Sequence, residues 1–464
     1  MNTINHPQVR RAPGLLRALG VAALAGAFGL VGCDVDSVLD VDDTETAQLE
    51  DIDDPENVPV FRAHAIGETQ VAYAGRGAAQ DNSFILMSGL LSDEYEASGT
   101  FPTRIEVDRR DILNTNSTVQ TTYRLMHRAR LAAIRADRAY ELHDEGAAGH
   151  AEVRGLAGLV YNAFGEMYCS GQPFSELTPD GEFIYGSPLT TDEVFQEALQ
   201  WHQDAAAIAS EGSREAHLAA IGQARALLNL GQYQEAADAV SDVPTDFEYV
   251  INHSDATARQ WNGAWNFVNN VARWRIPDMA GGTGLPYRTD GTEYDAAGNV
   301  VEQGDPRIEW FADGVGFNSA VAQFSQLKYA SRGDPTPVAT GIEARLIEAE
   351  AALQADNTGE FLQLHNDLRA TVGLDAFTEE DADALGADGV VDLHFQERAY
   401  WLWQTGHRLG DLRRLVRQYD RAADDVFPSQ DYFGTGDFGS DVNFPIPVDE
   451  ENNPEFTTCF DREA

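Results

Sequence analysis

Leu218 to Pro244 reads LAAIGQARALLNLGQYQEAADAVSDVP, and the spacing within it decides the fold class. Leu218, Ile221, Ala224 and Leu228 recur at three- and four-residue intervals, the pattern of one apolar face on an α-helix. Gly231 stops that helix, because a residue without a β-carbon closes a helix end at little steric cost. Ala236, Ala237 and Val240 then begin a second stripe. The stretch predicts a helix-turn-helix pair, each helix with a face that a neighbour must cover.

Working outward, Gly231, Tyr233 and Ala236 have the spacing found in tetratricopeptide repeats, although no tryptophan opens the unit and Pro244 arrives early. Gly341 to Arg369 predicts a further pair, with Leu346, Ala349 and Leu353, then Phe361, Leu364 and Leu368, on apolar faces. In sequence the two units lie too far apart for a regular solenoid. Upstream, Thr118 to Leu142 and Ala151 to Met167 carry helical periodicity, and Thr191-Asp192 reads as the cap of a long helix through Ile208. Repeat-like helices are thus expected over approximately 55–240 and 340–370. Two segments break the pattern, approximately 81–111 and 245–340. In the second, Trp261, Trp265, Trp274, Tyr287, Tyr294 and Trp310 are interleaved with Gly281-Gly282-Thr283-Gly284 and the turn signals Asp290-Gly291 and Gly298-Asn299. That composition predicts loops and short strands.

The chain has 464 residues, of which 43% are hydrophobic, enough to bury a sizeable core. It carries 32 Lys and Arg against 76 Asp and Glu, a formal net charge of −44. A nucleic-acid partner requires a basic footprint, and this field has the opposite sign. Lys328 is the only lysine, which fits a surface kept solvated in a salty medium.

The N-terminus holds Arg10, Arg11 and Arg17, an uncharged apolar run from Ala18 to Val31, and then Leu30-Val31-Gly32-Cys33. A basic start, a short apolar stretch and small residues describe an export signal over residues 1–32, too short for an ordinary membrane span. Leu-Val-Gly-Cys resembles the bacterial lipobox, which implies cleavage before Cys33 and a lipid on its thiol. The acidic stretch that follows repels itself, so residues 33–54 are expected to act as a tether and 55–464 as one domain. In an exported chain the two remaining thiols, Cys169 and Cys459, form a candidate disulfide tying the C-terminal tail to an early helix. Two unrelated buried thiols are the alternative, and metal binding is disfavoured because neither has a ligand at zinc-site spacing.

Four C-terminal stretches fall in one order: Asp305-Pro306-Arg307; Leu346 to Leu353 with Glu348 and Glu350; Glu397-Arg398 through Gly406, Arg408, Asp411, Leu412 and Arg413; and Pro445-Ile446-Pro447 followed by Asn453-Pro454. Behind a lipobox and a repeat-like helical half, this series resembles the SusD/RagB family of outer-membrane nutrient-binding lipoproteins over essentially the whole mature chain. Thr405 before Gly406 and the missing aromatic after Arg408 depart from that pattern. The resemblance implies an α-dominated scaffold of about four tetratricopeptide-like helix pairs packed with an irregular, loop-rich half, the segment 390–464 closing it. It further implies an exterior-facing, lipid-anchored protein of the outer membrane that binds an oligosaccharide or a peptide. Such proteins act as the lid of a SusC-like TonB-dependent transporter, with no enzyme activity and no cofactor.

Read from the residues themselves, Arg408 and Asp411 are i,i+3 neighbours that predict an ion pair near the core, and Glu348 and Glu350 sit in an ordinary amphipathic helix. Sugar binding needs flat aromatic faces with amides or carboxylates beside them. The candidates are Tyr95 and Phe101 in the first irregular segment and Trp274, Tyr287 and Trp310 in the second, with Asn82, Asp93, Glu94 and Arg104 as polar partners. Each aromatic has core packing as its alternative role, and Trp261 and Trp265 read as a helix stripe. A surface hydrolase and a protein-binding repeat scaffold are the rival classes. The chain holds no Gly-x-Ser-x-Gly elbow and no His-Glu-x-x-His, the Gly281 to Gly284 run lacks a phosphate-loop lysine, and no stretch has EF-hand spacing.

Overall fold

The computed structural model describes residues 49–77, 82–178, 182–294, 300–302 and 304–464, so the expected signal, Cys33 and most of the tether lie outside the described residues. Helices run over Val58–Thr69 (α1), Phe84–Leu91 (α2), Pro102–Asp108 (α3), Ser117–His143 (α4), Ala148–Met167 (α5), Thr191–Ile208 (α6), Arg214–Asn229 (α7) and Tyr233–Val240 (α8). They resume as Gly341–Gln354 (α9), Thr358–Thr371 (α10), Glu379–Trp401 (α11, broken at Gly386) and Arg408–Tyr419 (α12).

The quoted stretch forms α7 and α8. Leu218, Ile221, Ala224, Leu228, Ala236 and Val240 are all buried, and Gly231 turns the chain at φ +73°. Successive helices α4 to α8 pack as antiparallel neighbours, with α1 laid against α4. Almost every residue of α5 is buried, and its many small side chains let α4, α6 and α7 approach closely. A β-carbon at Gly222 on α7 would overlap the His202 ring of α6, so that contact requires glycine. Caps fix the helix starts: Asn116 accepts from the amides of Thr118 and Val119 (3.0 and 3.1 Å), and Ser213 from that of Ala216 (3.1 Å). The cap of α6 is Thr190 instead of Thr191-Asp192, because Glu193 three residues on reaches back to the Thr190 amide (2.8 Å) and completes a capping box.

The distance between the two helix pairs is closed by the excursion between them. Glu248–Ile251 and Thr336–Thr340 pair antiparallel, Glu248 opposite Thr340 and Ile251 opposite Thr336, so the segment leaves and returns at one point. Helix α9 therefore packs directly on α8, and Arg225 of α7 pins it by donating to both carboxylate oxygens of Glu343 (2.8 Å each). Gly341 passes so close to the carbonyls of Pro244 and Thr245 that a side chain there would collide. Repeat-like pairs thus stack in space without being contiguous in sequence.

Ile52, inside the stretch expected as tether, already belongs to the folded unit. It packs with Phe61, Ala132 and Ala136, and its carbonyl accepts from His143 Nε2 (2.8 Å). At the other end, Cys169 and Cys459 are joined as a disulfide, and the Phe460 amide donates to Ser170 O (2.8 Å), which ties the tail to the end of α5.

Candidate functional site

The C-terminal stretches converge on a buried ion network. Arg307 donates to Asp305 through Nε (2.8 Å) and to Glu397 through Nη1 (2.7 Å), and Arg369 reaches Glu397 as well (2.7 Å). Arg398 grips Asp411 with two bonds of 2.9 Å, while Arg414 joins Asp411 (2.8 Å) to Glu350 (2.5 Å). The expected Arg408–Asp411 pair does not form. Both oxygens of Asp411 are taken by Arg398 and Arg414, and Arg408 turns instead to Asp93 (2.6 and 2.7 Å). Glu350 is fully buried and not on a solvated helix face. Burial pushes its carboxyl up, but Arg414 and His394 outweigh that and hold it well below the usual carboxylate range. These residues are structural: each charge is matched by another inside the protein.

Most of the residues expected to touch ligand belong to the core. Tyr95, Trp274, Tyr287 and Trp310 are at most 3% exposed. Tyr95 packs on Trp274 (5.5 Å between centroids), Trp274 on Phe267 (5.2 Å), Tyr287 on Tyr400 (5.6 Å), and Trp310 edge-on to Phe324 (5.7 Å). Rings so covered have no free face for a sugar. The irregular half is loop by backbone yet has a core of its own, and large aromatics supply the buried area that its short strands cannot. Asn82, Asp93, Glu94 and Arg104 are buried too. Asp93 serves Arg408, Asn82 Oδ1 accepts from Arg104 Nη2 (2.9 Å), and Glu94 accepts from the Gln404 amide (2.6 Å) with its carboxyl pushed up to about 8 by burial. Trp261 and Trp265 are half-buried, and of the two only Trp265 lies in a helix, the turn Gly263–Trp265 that continues as a π-helix over Asn266–Asn270.

Phe101 is the exception, and it leads to the site. The two irregular segments meet beside it. Glu96 and Ala97 pair antiparallel with Arg275 and Trp274, the Ser98 amide donates to Arg273 O (2.9 Å), and the Phe317 amide donates to Ala272 O (2.8 Å). Buried Gln323 fixes this junction: its Nε2 donates to Val268 O (3.0 Å) and Trp274 O (2.7 Å), and the Ser98 hydroxyl lies 3.0 Å from its Oε1. Five side chains stack there in alternation. The Arg104 guanidinium carbon sits 4.6 Å from the ring centroids of both Phe267 and Phe101, and that of Arg273 sits 4.3 Å from Phe101 and 3.5 Å from Phe317. The stack runs from Phe267, fully buried, to Phe317, which is 49% exposed.

This arrangement offers the chemistry a sugar needs: an open aromatic ring for the C–H face of a pyranose, and guanidinium N–H groups for its polar edge. Phe317 and Arg273 were not singled out from the sequence. Phe317 did carry a signal, as a lone large aromatic inside the turn-forming run Gly314-Val-Gly-Phe-Asn-Ser319. Ala272 and Ser319, the neighbours of this pair, both hold positive φ (+48° and +57°), a conformation that costs energy for non-glycine residues and recurs at ligand clamps.

A cavity of about 500 Å³ lies elsewhere, lined by Asp290, Asp305, Arg307, Arg369, Glu397 and Tyr400 among others. Asp305, Arg307, Arg369 and Glu397 are already paired with one another, which leaves less of its wall for a ligand than the stack offers. Among the described residues no cluster of three or more His, Cys, Asp or Glu could hold a metal ion.

No family model matches the chain, and no curated protein matches it. Solved structures do. A SusD superfamily protein from Bacteroides vulgatus superposes with a TM-score of 0.63 at 15% identity, over 89% of this chain and 100% of its own. A SusD-like carbohydrate-binding protein from Bacteroides fragilis gives 0.63 at 14% identity, covering 88% and 99%. Surface glycan-binding protein A from Bacteroides uniformis gives 0.59 at 14%, covering 87% and 99%. With its stacked helix pairs, the excursion that returns to its origin, and likenesses spanning nearly the full length of both partners, the chain has the SusD-like fold.

Proposed function

We propose that this protein captures a glycan at the outer surface of a bacterium and hands it to a SusC-like, TonB-dependent barrel over which it closes as a lid. The aromatic–guanidinium stack of Phe101, Arg273 and Phe317, exposed at Phe317, carries the reading, because it places a sugar-compatible face on a fold whose solved examples include proteins named for carbohydrate binding. In this reading residues 1–32 are removed on export, Cys33 carries the lipid, and the acidic stretch after it spans the gap to the folded domain. No helix among the described residues is long and apolar enough to cross a membrane, which leaves the lipid as the proposed attachment. The protein binds and does not turn over its ligand, needs no cofactor, and draws the energy for transport from the barrel's partner. Gentle-detergent purification of tagged protein from native membranes tests the partnership. A large barrel recovered in stoichiometric amount supports the lid. Protein that purifies alone, with hydrolysis of a glycan in the same preparation, contradicts it.

A further inference from the structure

We infer that the glycan captured at this face is anionic, bearing a carboxylate or sulfate, and that Arg273 is the residue that reads the charge. The inference rests on the glycan-capture reading and adds the class of ligand to it. In a chain with 76 acidic residues against 32 basic ones, arginines readily find carboxylates: Arg225, Arg307, Arg398, Arg408 and Arg414 all do. Arg273 does not. Among the described residues no carboxylate pairs with it, and its Nη1 is buried without a hydrogen-bond partner.

The stack then decides how that cation can act. The Arg273 guanidinium carbon lies over the Phe101 ring at 4.3 Å and over the Phe317 ring at 3.5 Å, so hydrogen bonding falls to its N–H groups, whose planar fork matches the two oxygens of a carboxylate or sulfate. The backbone that carries it is anchored by Ser98 and Gln323 and held at positive φ by Ala272, so little ordering remains for binding to supply. Phe317 next to it is free to take the sugar ring. The net charge of −44 does not forbid an anionic ligand. Repulsion from distant carboxylates is screened beyond roughly 8 Å in physiological salt and roughly 3 Å in molar salt, whereas a contact pair beside two phenyl rings is screened far less.

The test compares matched probes by calorimetry: oligogalacturonate with its methyl ester, and a sulfated galactan oligosaccharide with its desulfated form. At least one charged probe should bind about tenfold or more tightly than its neutral counterpart, and the pair that responds tells carboxylate from sulfate. Arg273→Met should erase that preference, and Arg273→Lys, which keeps the charge and guards against a misfolded methionine variant, should retain part of it. Equal affinity for charged and neutral forms overturns the inference. Neutral glycan bound by the wild type, lost in Phe317→Ala and unchanged in Arg273→Met, overturns it while leaving glycan capture standing. Failure to bind any of the four probes overturns both.

Discussion

The scaffold and the junction face use arginine in opposite ways. Around α11 and α12, Arg398, Arg408 and Arg414 aim their edges at carboxylates and are fully enclosed. At the junction Arg273 sits against two phenyl rings and, among the described residues, pairs with no carboxylate. A cation whose edge is satisfied inside the protein fixes the fold, and one whose edge is left open is available to a ligand. Substitutions in the first region should therefore be costly to stability, and those in the second should be nearly silent until ligand is added.

The largest effect is expected where a buried charge is stranded. Arg408→Met leaves Asp93 without its bidentate partner and should lower unfolding free energy by about 3–5 kcal/mol in urea titrations. A change under about 1 kcal/mol would remove the distinction between the two regions. Next comes the tail: Cys459→Ser opens a link between residues 290 apart in sequence, and a loss of about 2–4 kcal/mol should follow. Peptide mapping without reductant should recover Cys169 joined to Cys459, and two free thiols would refute that pairing.

A smaller effect depends on pH. His202 is buried among α5, α6 and α7, and burial followed by the charge of Arg225 lowers its pKa from 6.5 to about 3. The unfolded chain therefore binds a proton between those values that the folded chain does not. The contribution of His202 to stability should fall as pH drops below about 6.5, by up to about 1.4 kcal/mol per pH unit, against the opposite slope of Glu94, whose carboxyl is raised to about 8. His127, also lowered by burial, adds a slope of the same sign as His202. Measured from pH 7 to 4.5, the stability of the wild type relative to His202→Gln should fall. Equal slopes would assign the acid sensitivity elsewhere. The smallest stability effect belongs to the face: Phe317→Ala should shift stability by less than about 0.5 kcal/mol while weakening glycan binding about tenfold.

The helical scaffold was legible because burial imposes a period. Leu218, Ile221, Ala224 and Leu228 announce their face through spacing, and Gly231 announces the turn. Choice of partner leaves no such trace: Arg408 could be seen to need an acid, but that the acid is Asp93 follows only from how Asp411 is already occupied. The stack was legible at Phe101 and, in its buried part, at Arg104. Arg273 and Phe317 come together through single backbone hydrogen bonds between loops, which impose no repeating pattern on the residues involved. The same absence of pattern made Tyr95, Trp274, Tyr287 and Trp310 look available when they are the core of the irregular half.

Amide hydrogen exchange with and without a bound acidic oligosaccharide locates the glycan on the protein. Protection should rise at residues 98–101, 271–275 and 316–319 and stay unchanged along α5, whose burial already limits exchange. Protection centred on the repeat-like helices, or on the cavity at Arg307 and Arg369, would place the ligand elsewhere and rule out capture at Phe101, Arg273 and Phe317.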